Sequence, residues 1–164
     1  MNFKTLSSQY LRNFLVLAVI AVTVTAAVLA SGETATVEEA VLRANTAFYR
    51  AFADRDIEKM DSLWALDKPV AVIHPGWIGL EGGDAVMGSW QGILANPASP
   101  DIRINNARAH IYGEVAFVIC YELVNESVLI ATNIYVLQDN HWKIVHHQAG
   151  ATMGLAPPSK DEAI

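Results

Sequence analysis

Apolar residues recur at helical spacing through TVEEAVLRANTAFYRAFADRD, where Val37, Val41, Ala44, Phe48 and Phe52 share one side of a helix. Thr36 followed three residues later by Glu39 forms a capping box, in which each side chain satisfies a backbone donor at the helix start. A shorter amphipathic helix is predicted in DIEKMDSLWAL, with Asp56 as N-cap and Ile57, Met60, Leu63 and Trp64 on one side. Pro69 then precedes VAVIH, a short strand that Pro75 ends because proline has no N–H for a sheet ladder. Glycines at 76, 79, 82 and 83 mark a tight return. DAVMGSWQGILA reads as a third helix, with Asp84 as N-cap and Val86, Trp90, Ile93 and Leu94 as its buried face.

From Asp101 onward the pattern changes to long strands: DIRINNARAHIYG, VAFVICYELVN, SVLIATNIYVLQ and HWKIVHHQ. Turn signals at Gly113-Glu114, Asn125-Glu126 and Asp139-Asn140 let each neighbour pair as an antiparallel hairpin. Three helices and one early strand, followed by a four-strand meander, predict an α+β domain with the helices on one face of a curved sheet. Alternation along the last strand puts Trp142, Ile144, His146 and Gln148 on one face, and His141, Lys143, Val145 and His147 on the other. Lys143 prefers water, so the first set is assigned to the interior and His147 is left for a subunit interface.

The N-terminus departs from this pattern. Its first thirty residues contain Lys4 and Arg12, no acid, and an apolar run from Phe14 to Ala30 that ends in the small residues VLASG. The run reads as a secretory signal peptide or, if uncleaved, as a membrane anchor, since a helix of that length nearly crosses a bilayer core of about 30 Å. A buried core helix is the third reading, and the missing polar face speaks against it. Residues 1–30 are thus expected to send the chain to the periplasm or outside the cell, or to tether it through 14–30 as its sole membrane contact. Residues 31–152 are expected to form one domain, and 153–164, rich in Gly, Pro and charge without periodicity, a loose tail.

Charge and cysteine content narrow the partners. The net charge is −6, and removing Lys4 and Arg12 from eleven basic residues leaves nine against seventeen acids. Without a basic cluster, nucleic acid is not an expected partner. Cys120 is the only cysteine, which excludes an intramolecular disulfide, and its apolar setting VAFVICYEL points to a buried, inert thiol. Asn125-Glu126-Ser127 matches a glycosylation sequon, relevant only in a host that glycosylates.

Several side chains carry candidate chemistry. His74, at the end of the early strand, can act as base or acid because imidazole titrates near neutrality; the plain alternative is a histidine that only holds the turn. Glu122 and Asn133 are polar residues inside apolar strands, where a carboxylate either pairs, faces solvent or lines a cavity. Trp64, Trp77, Trp90 and Tyr49 supply large apolar walls, for a core or for a ligand pocket. His74, His146 and His147 lack HExxH or paired Cys/His spacing, so neither metal nor other cofactor is expected. GSWQG at 88–92 is not a nucleophile elbow, and the glycines at 79–83 precede no Lys-Ser/Thr pair of a phosphate loop.

The helix ANTAFYRAFADRDIEKMDSLW, the turn IHPGW, the segment GGDAVMGSW and the strand WKIVHHQAG occur in that order over residues 37–149. Together they resemble the SnoaL-like branch of the nuclear transport factor 2-like superfamily. The resemblance implies a cone of helices against a strongly bent, mainly antiparallel sheet, a pocket between them, and a homodimer through the sheet. Family members include ketosteroid isomerase, scytalone dehydratase and polyketide cyclases, and also binding and assembly modules without catalysis. His74-Pro75 falls where the isomerase has its acid-proline pair, with His in place of the acid. Two functions are therefore expected. One is cofactor-independent acid–base chemistry on a small hydrophobic molecule, with His74 as base, Glu122 or His146 as partner, Asn133 orienting the substrate, and Tyr49, Trp64, Trp77 and Trp90 as binding walls. The other is a non-catalytic ligand-binding or assembly module of the cell envelope.

Overall fold

The computed structural model describes residues 35–153; the signal or anchor reading of 1–30 and the loose tail beyond 153 lie outside them. Among the described residues no helix is long and apolar enough to cross a membrane.

Helix α1 (Val37–Ala53) starts as its capping box requires: the Thr36 hydroxyl accepts the Glu39 N–H at 3.2 Å, and the Glu39 carboxylate accepts the Thr36 N–H at 2.8 Å. Its inner face is Val41, Asn45, Phe48, Tyr49 and Phe52, whereas Val37 in the first turn is 53% exposed. Helix α2 (Ile57–Leu63) is capped by Asp56, whose carboxylate accepts the Lys59 N–H at 2.8 Å. Helix α3 (Gly83–Ala95) begins earlier than the sequence suggested. Its N-cap is Gly82, at a φ of 85° that favours glycine, and Asp84 lies in the first turn, where a carboxylate complements the positive end of the helix.

One mixed sheet carries six strands: β1 (Ala71–Ile73), β2 (Leu80–Glu81), β3 (Ile102–Tyr112), β4 (Val115–Val124), β5 (Ser127–Gln138) and β6 (His141–Ala151). Their order is β2-β1-β6-β5-β4-β3, antiparallel throughout except for the parallel β1–β6 pair. The two-residue β2 was not foreseen, because two residues carry no periodicity. All three meander turns occur where expected, with Gly113, Asn125, Asp139 and Asn140 at positive φ.

Two bulges bend the sheet. On β3 the register slips between Asn105 and Arg108 around Asn106, which has a φ of 52°. On β6 Ile144 pairs with Tyr135 while His146 pairs with Ile134, so Val145 is an extra residue. The inner face, including Val118, Cys120, Tyr135 and Ile144, packs against Val41, Phe48 and Trp90 of the helices. Phe48 meets Tyr49 and Trp90 edge to face at 5.0 and 5.4 Å, and truncating so buried a ring costs about 3–5 kcal/mol.

Trp64 belongs to this packing. It forms a bridge with Ile144, the next residue donates its N–H to the Ile144 carbonyl at 3.0 Å, and its ring is 3% exposed.

Candidate functional site

A cavity of about 380 Å³ opens between the end of β1, helix α3, the 96–100 loop and the near ends of β3 to β5. Its chemistry-bearing wall is Phe52, His74, Trp77, Trp90, Glu122 and His147. That volume suits a small molecule. A larger surface depression, about 530 Å³ beside the start of α3, is lined by Asp61, Glu81 and Asp84 with Leu66, Met87 and small residues; among the described residues it has no aromatic wall and no histidine.

His74 is held by a turn. The Trp77 N–H donates to the His74 carbonyl at 2.9 Å, with Pro75 at the first corner and Gly76, φ 80°, at the second, as a type II turn demands. Trp77 then folds back so that its ring meets the imidazole edge to face at 5.0 Å. His74 Nε2 lies 2.9 Å from the Ser89 hydroxyl, which donates its own proton to the Val86 carbonyl at 2.7 Å. Ser89 therefore accepts, His74 carries its proton on Nε2, and the lone pair is on Nδ1. The turn thereby sets His74, Pro75 and Trp77 in the cavity wall.

His147 enters through the bulge. The extra residue Val145 reverses the alternation, so Ile144 and His147 both face inward, three residues apart. His146, expected inside as a catalytic partner, stands on the opposite face beside Pro69, Val70 and Glu81, and His147, expected at a surface, is 3% exposed in the cavity wall. His147 Nδ1 is 2.6 Å from Asn133 Oδ1, while the Asn133 amide donates to Asn45 Oδ1 at 2.7 Å and to the Tyr49 hydroxyl at 3.3 Å. Asn133 thus presents its oxygen to His147, which donates from Nδ1 and keeps its lone pair on Nε2.

Glu122 closes the set. It is buried, forms no ion pair among the described residues, and accepts the Tyr49 hydroxyl at 2.7 Å. Tyr49 has one proton and gives it to Glu122, so the Cys120 thiol, 3.3 Å away, donates to Tyr49. Asn133 and Tyr49 were expected to touch a ligand; they lie one layer behind the wall and orient His147 and Glu122. Trp64, also expected there, is core, whereas Trp77 and Trp90 do line the cavity.

Burial controls the protonation of these groups. It lowers His74 to about 4 and His147 to about 3, the latter also through repulsion from His74 and His146. Burial raises Glu122, against a smaller lowering by the Tyr49 hydrogen bond, and pushes the Cys120 thiol up to about 11. In water a glutamate is the weaker proton holder and a histidine the stronger; the cavity shifts both away from that order.

Ser89, Asn45, Phe52 and His147 were not singled out as site residues from the sequence. A polar Asn45 within the apolar face of α1 was a usable signal; the bulge that turns His147 inward has none.

A family model described as a SnoaL-like domain matches residues 41–153. Among solved structures, a proposed dehydratase of the nuclear transport factor 2-like family from Streptomyces avermitilis is similar, with 30% identity, 71% of this chain and 96% of that one covered, and a TM-score of 0.65. A proposed calcium/calmodulin-dependent protein kinase type II association domain from Thiobacillus denitrificans is 27% identical, over 67% of this chain and 93% of that one, with a TM-score of 0.60. A proposed ketosteroid isomerase from Parabacteroides distasonis, at 16% identity, 74% and 92% coverage and a TM-score of 0.59, shares the fold. No curated protein sequence matches significantly.

Proposed function

Since the chain belongs to the SnoaL-like domain family, we propose that its cavity carries out cofactor-independent proton transfer on a small, mainly apolar molecule, of the dehydratase or isomerase type. One observation carries this reading: two neutral imidazoles with assigned lone pairs, His74 Nδ1 and His147 Nε2, share one cavity with a carboxyl group whose burial favours its protonated form. Environments that push neighbouring titratable groups apart assign the acid and the base. Here the histidines are the bases and Glu122 is the acid.

In a dehydration, an imidazole nitrogen takes a proton from the carbon next to a carbonyl, and the electron pair forms the new C=C bond. The C–O bond on the neighbouring carbon breaks, and Glu122 gives its proton to the departing oxygen, releasing water. The imidazolium proton then returns to the Glu122 carboxylate through solvent. In an isomerisation the proton returns to a different carbon and no water leaves. Each correctly placed acid or base contributes about 10²- to 10⁴-fold. The similar protein from Streptomyces avermitilis, itself a proposed dehydratase, favours the first variant.

Deuterium incorporation tests the reading. Small β-hydroxy ketones and enones are incubated with the protein in D₂O, and wild type is compared with His74→Gln, which keeps a donor to Ser89 but has no basic nitrogen. Exchange or water loss in wild type, reduced at least a hundredfold in the variant, is expected. Compounds that bind both proteins and never exchange would sink the enzyme reading.

That outcome would favour a second reading, a binding module. The low proton affinity of His74 and His147 supports it, because nitrogens that titrate at about 4 and 3 are weak bases at neutral pH.

A second copy of the chain is the proposed partner. Phe117, Ile119, Tyr121, Ile130 and Ile134 alternate with the inward residues of β4 and β5, and Ile130 is 39% exposed. An outer sheet face this apolar is suited to a subunit contact.

A further inference from the structure

We infer that the ligand of this cavity is an uncharged molecule that presents a carbonyl oxygen to the indole N–H of Trp90. The inference deepens the proton-transfer reading and rests on it for the fate of the ligand, but not for how the ligand is held.

The first observation is an unused donor. Trp90 is 2% exposed, lines the cavity, and its Nε1 is buried without a hydrogen-bond partner among the described residues. Its ring is clamped edge to face by Phe48, Phe52 and His74 at 5.4, 6.2 and 4.6 Å, with His147 tilted at 5.6 Å. The phenyl rings offer no acceptor, and among the described residues the free lone pairs of His74 Nδ1 and His147 Nε2 make no hydrogen bond to the indole N–H. A buried N–H left in this way is costly, and indole is a donor only, so the fitting partner is an acceptor. Trp64 Nε1 is also buried without a partner, but Trp64 stands in the core away from the cavity. Of these two, only Trp90 belongs to the cavity wall.

The second observation concerns charge. Among the described residues that line the cavity there is no lysine or arginine. Arg55, the cation that braces the loop forming the rim, is committed to the carbonyls of Leu94, Asn96 and Ser99 at 3.4, 2.8 and 2.8 Å. A carboxylate or phosphate would lose its hydration here and find no countercharge. Burial of His74 and His147 keeps both neutral, so they do not supply the missing cation either.

The two observations converge chemically. When an imidazole takes the proton next to a ketone, negative charge grows on the carbonyl oxygen. A preorganised N–H aimed at that oxygen stabilises the change more strongly than it stabilises the starting ketone. Trp90 is thereby assigned the polarising donor, beside His74 and Phe52.

Three probes on one bicyclic frame test this with the full chain: α-tetralone, the hydrocarbon tetralin, and the tetralin carboxylate. Binding is followed by NMR of ¹⁵N-labelled indole groups, the Trp90 signal being identified through Trp64→Phe, Trp77→Phe and Trp142→Phe. The ketone is expected to bind about three- to tenfold more tightly than tetralin and to move the Trp90 N–H downfield, while tetralin leaves that signal in place and the carboxylate does not bind. In Trp90→Phe the preference for the ketone should vanish while tetralin still binds; should that variant fail to fold, the indole shift in wild type decides alone. A bound ketone that leaves Trp90 unmoved, a carboxylate that binds as well as the ketone, or failure of all three to bind overturns the inference. Deuterium at the α-carbon of the tetralone is read in the same samples. A shifted Trp90 without exchange sinks the proton-transfer reading and leaves this inference standing; exchange with an unmoved Trp90 does the reverse.

Discussion

Acidification should destabilise this protein steeply, and two buried histidines set the size of the effect. In the unfolded chain each has the ordinary value of 6.5, whereas in the folded state burial lowers His74 to about 4 and His147 to about 3. A group whose folded pKa is depressed contributes stability that is present above its unfolded pKa and lost as pH falls toward the folded one. Between about pH 7 and pH 5 both histidines take up protons in the unfolded chain and neither does so in the folded one. Linkage then gives a loss of roughly 2 kcal/mol for each, about 4 kcal/mol together, a large share of the 5–15 kcal/mol typical of a domain. Glu122 acts in the opposite sense: its folded pKa is raised, so its contribution is full below the unfolded value of 4.5 and fades as pH rises. One such group offsets part of the loss from two histidines.

The assay is urea unfolding at closely spaced pH values, for wild type and for the double variant His74→Gln/His147→Asn. These substitutions place an amide N–H where Nε2 of His74 and Nδ1 of His147 now donate, so both hydrogen bonds survive and only titration is removed. The double variant should lose less than half as much stability as wild type between pH 7 and pH 5. If its slope equals that of wild type, the histidines are not buried as neutral groups, and the proton assignments in the cavity fall with them.

Other consequences can be checked separately. Tyr49→Phe removes the hydroxyl shared by Glu122, Asn133 and Cys120 and should cost about 1–3 kcal/mol; because that hydroxyl lowers the Glu122 pKa, the infrared band of the protonated carboxyl should also persist to higher pH. Arg55→Ala frees the carbonyls of Leu94, Asn96 and Ser99, so amide exchange in the 96–100 rim should quicken while the exchange of β4 and β5 stays as in wild type. The Cys120 thiol, fully buried and raised to about 11, should react with a disulfide reagent only as fast as the protein opens, and an immediate reaction at neutral pH would contradict its placement. Ile130→Glu should turn a sheet-paired dimer into monomer in sedimentation, and a wild type that sediments as monomer refutes the proposed partner.

Local contacts explain what was legible in the chain. The capping box of Thr36 and Glu39, the Asp56 cap, the turns at Gly113, Asn125 and Asp139-Asn140, and the inward alternation of β4 all arise from residues two to four apart, so their spacing in the sequence specifies them. Asp84 was misplaced as a cap because Gly82, which alone tolerates the left-handed entry, takes the chain into the helix two residues sooner. The position of His74 at a pocket-facing turn was also legible, since Pro75 and Gly76 prescribe that turn wherever it occurs.

What the sequence by itself determined, then, was the set of elements, their order and the polar groups available to a pocket. The tertiary structure decided which of those groups meet. His147 replaced His146 because strand register, settled by pairing with β5, placed an extra residue at Val145 and reversed every side chain after it. The tautomers of His74 and His147 were decided by Ser89 and Asn133, fifteen and fourteen residues away in sequence, and the state of Glu122 by its burial, partly offset by the hydrogen bond from Tyr49, seventy-three residues away. Proton positions and pKa values depend on burial and on partners across the core, and such partners come together only once the chain has folded.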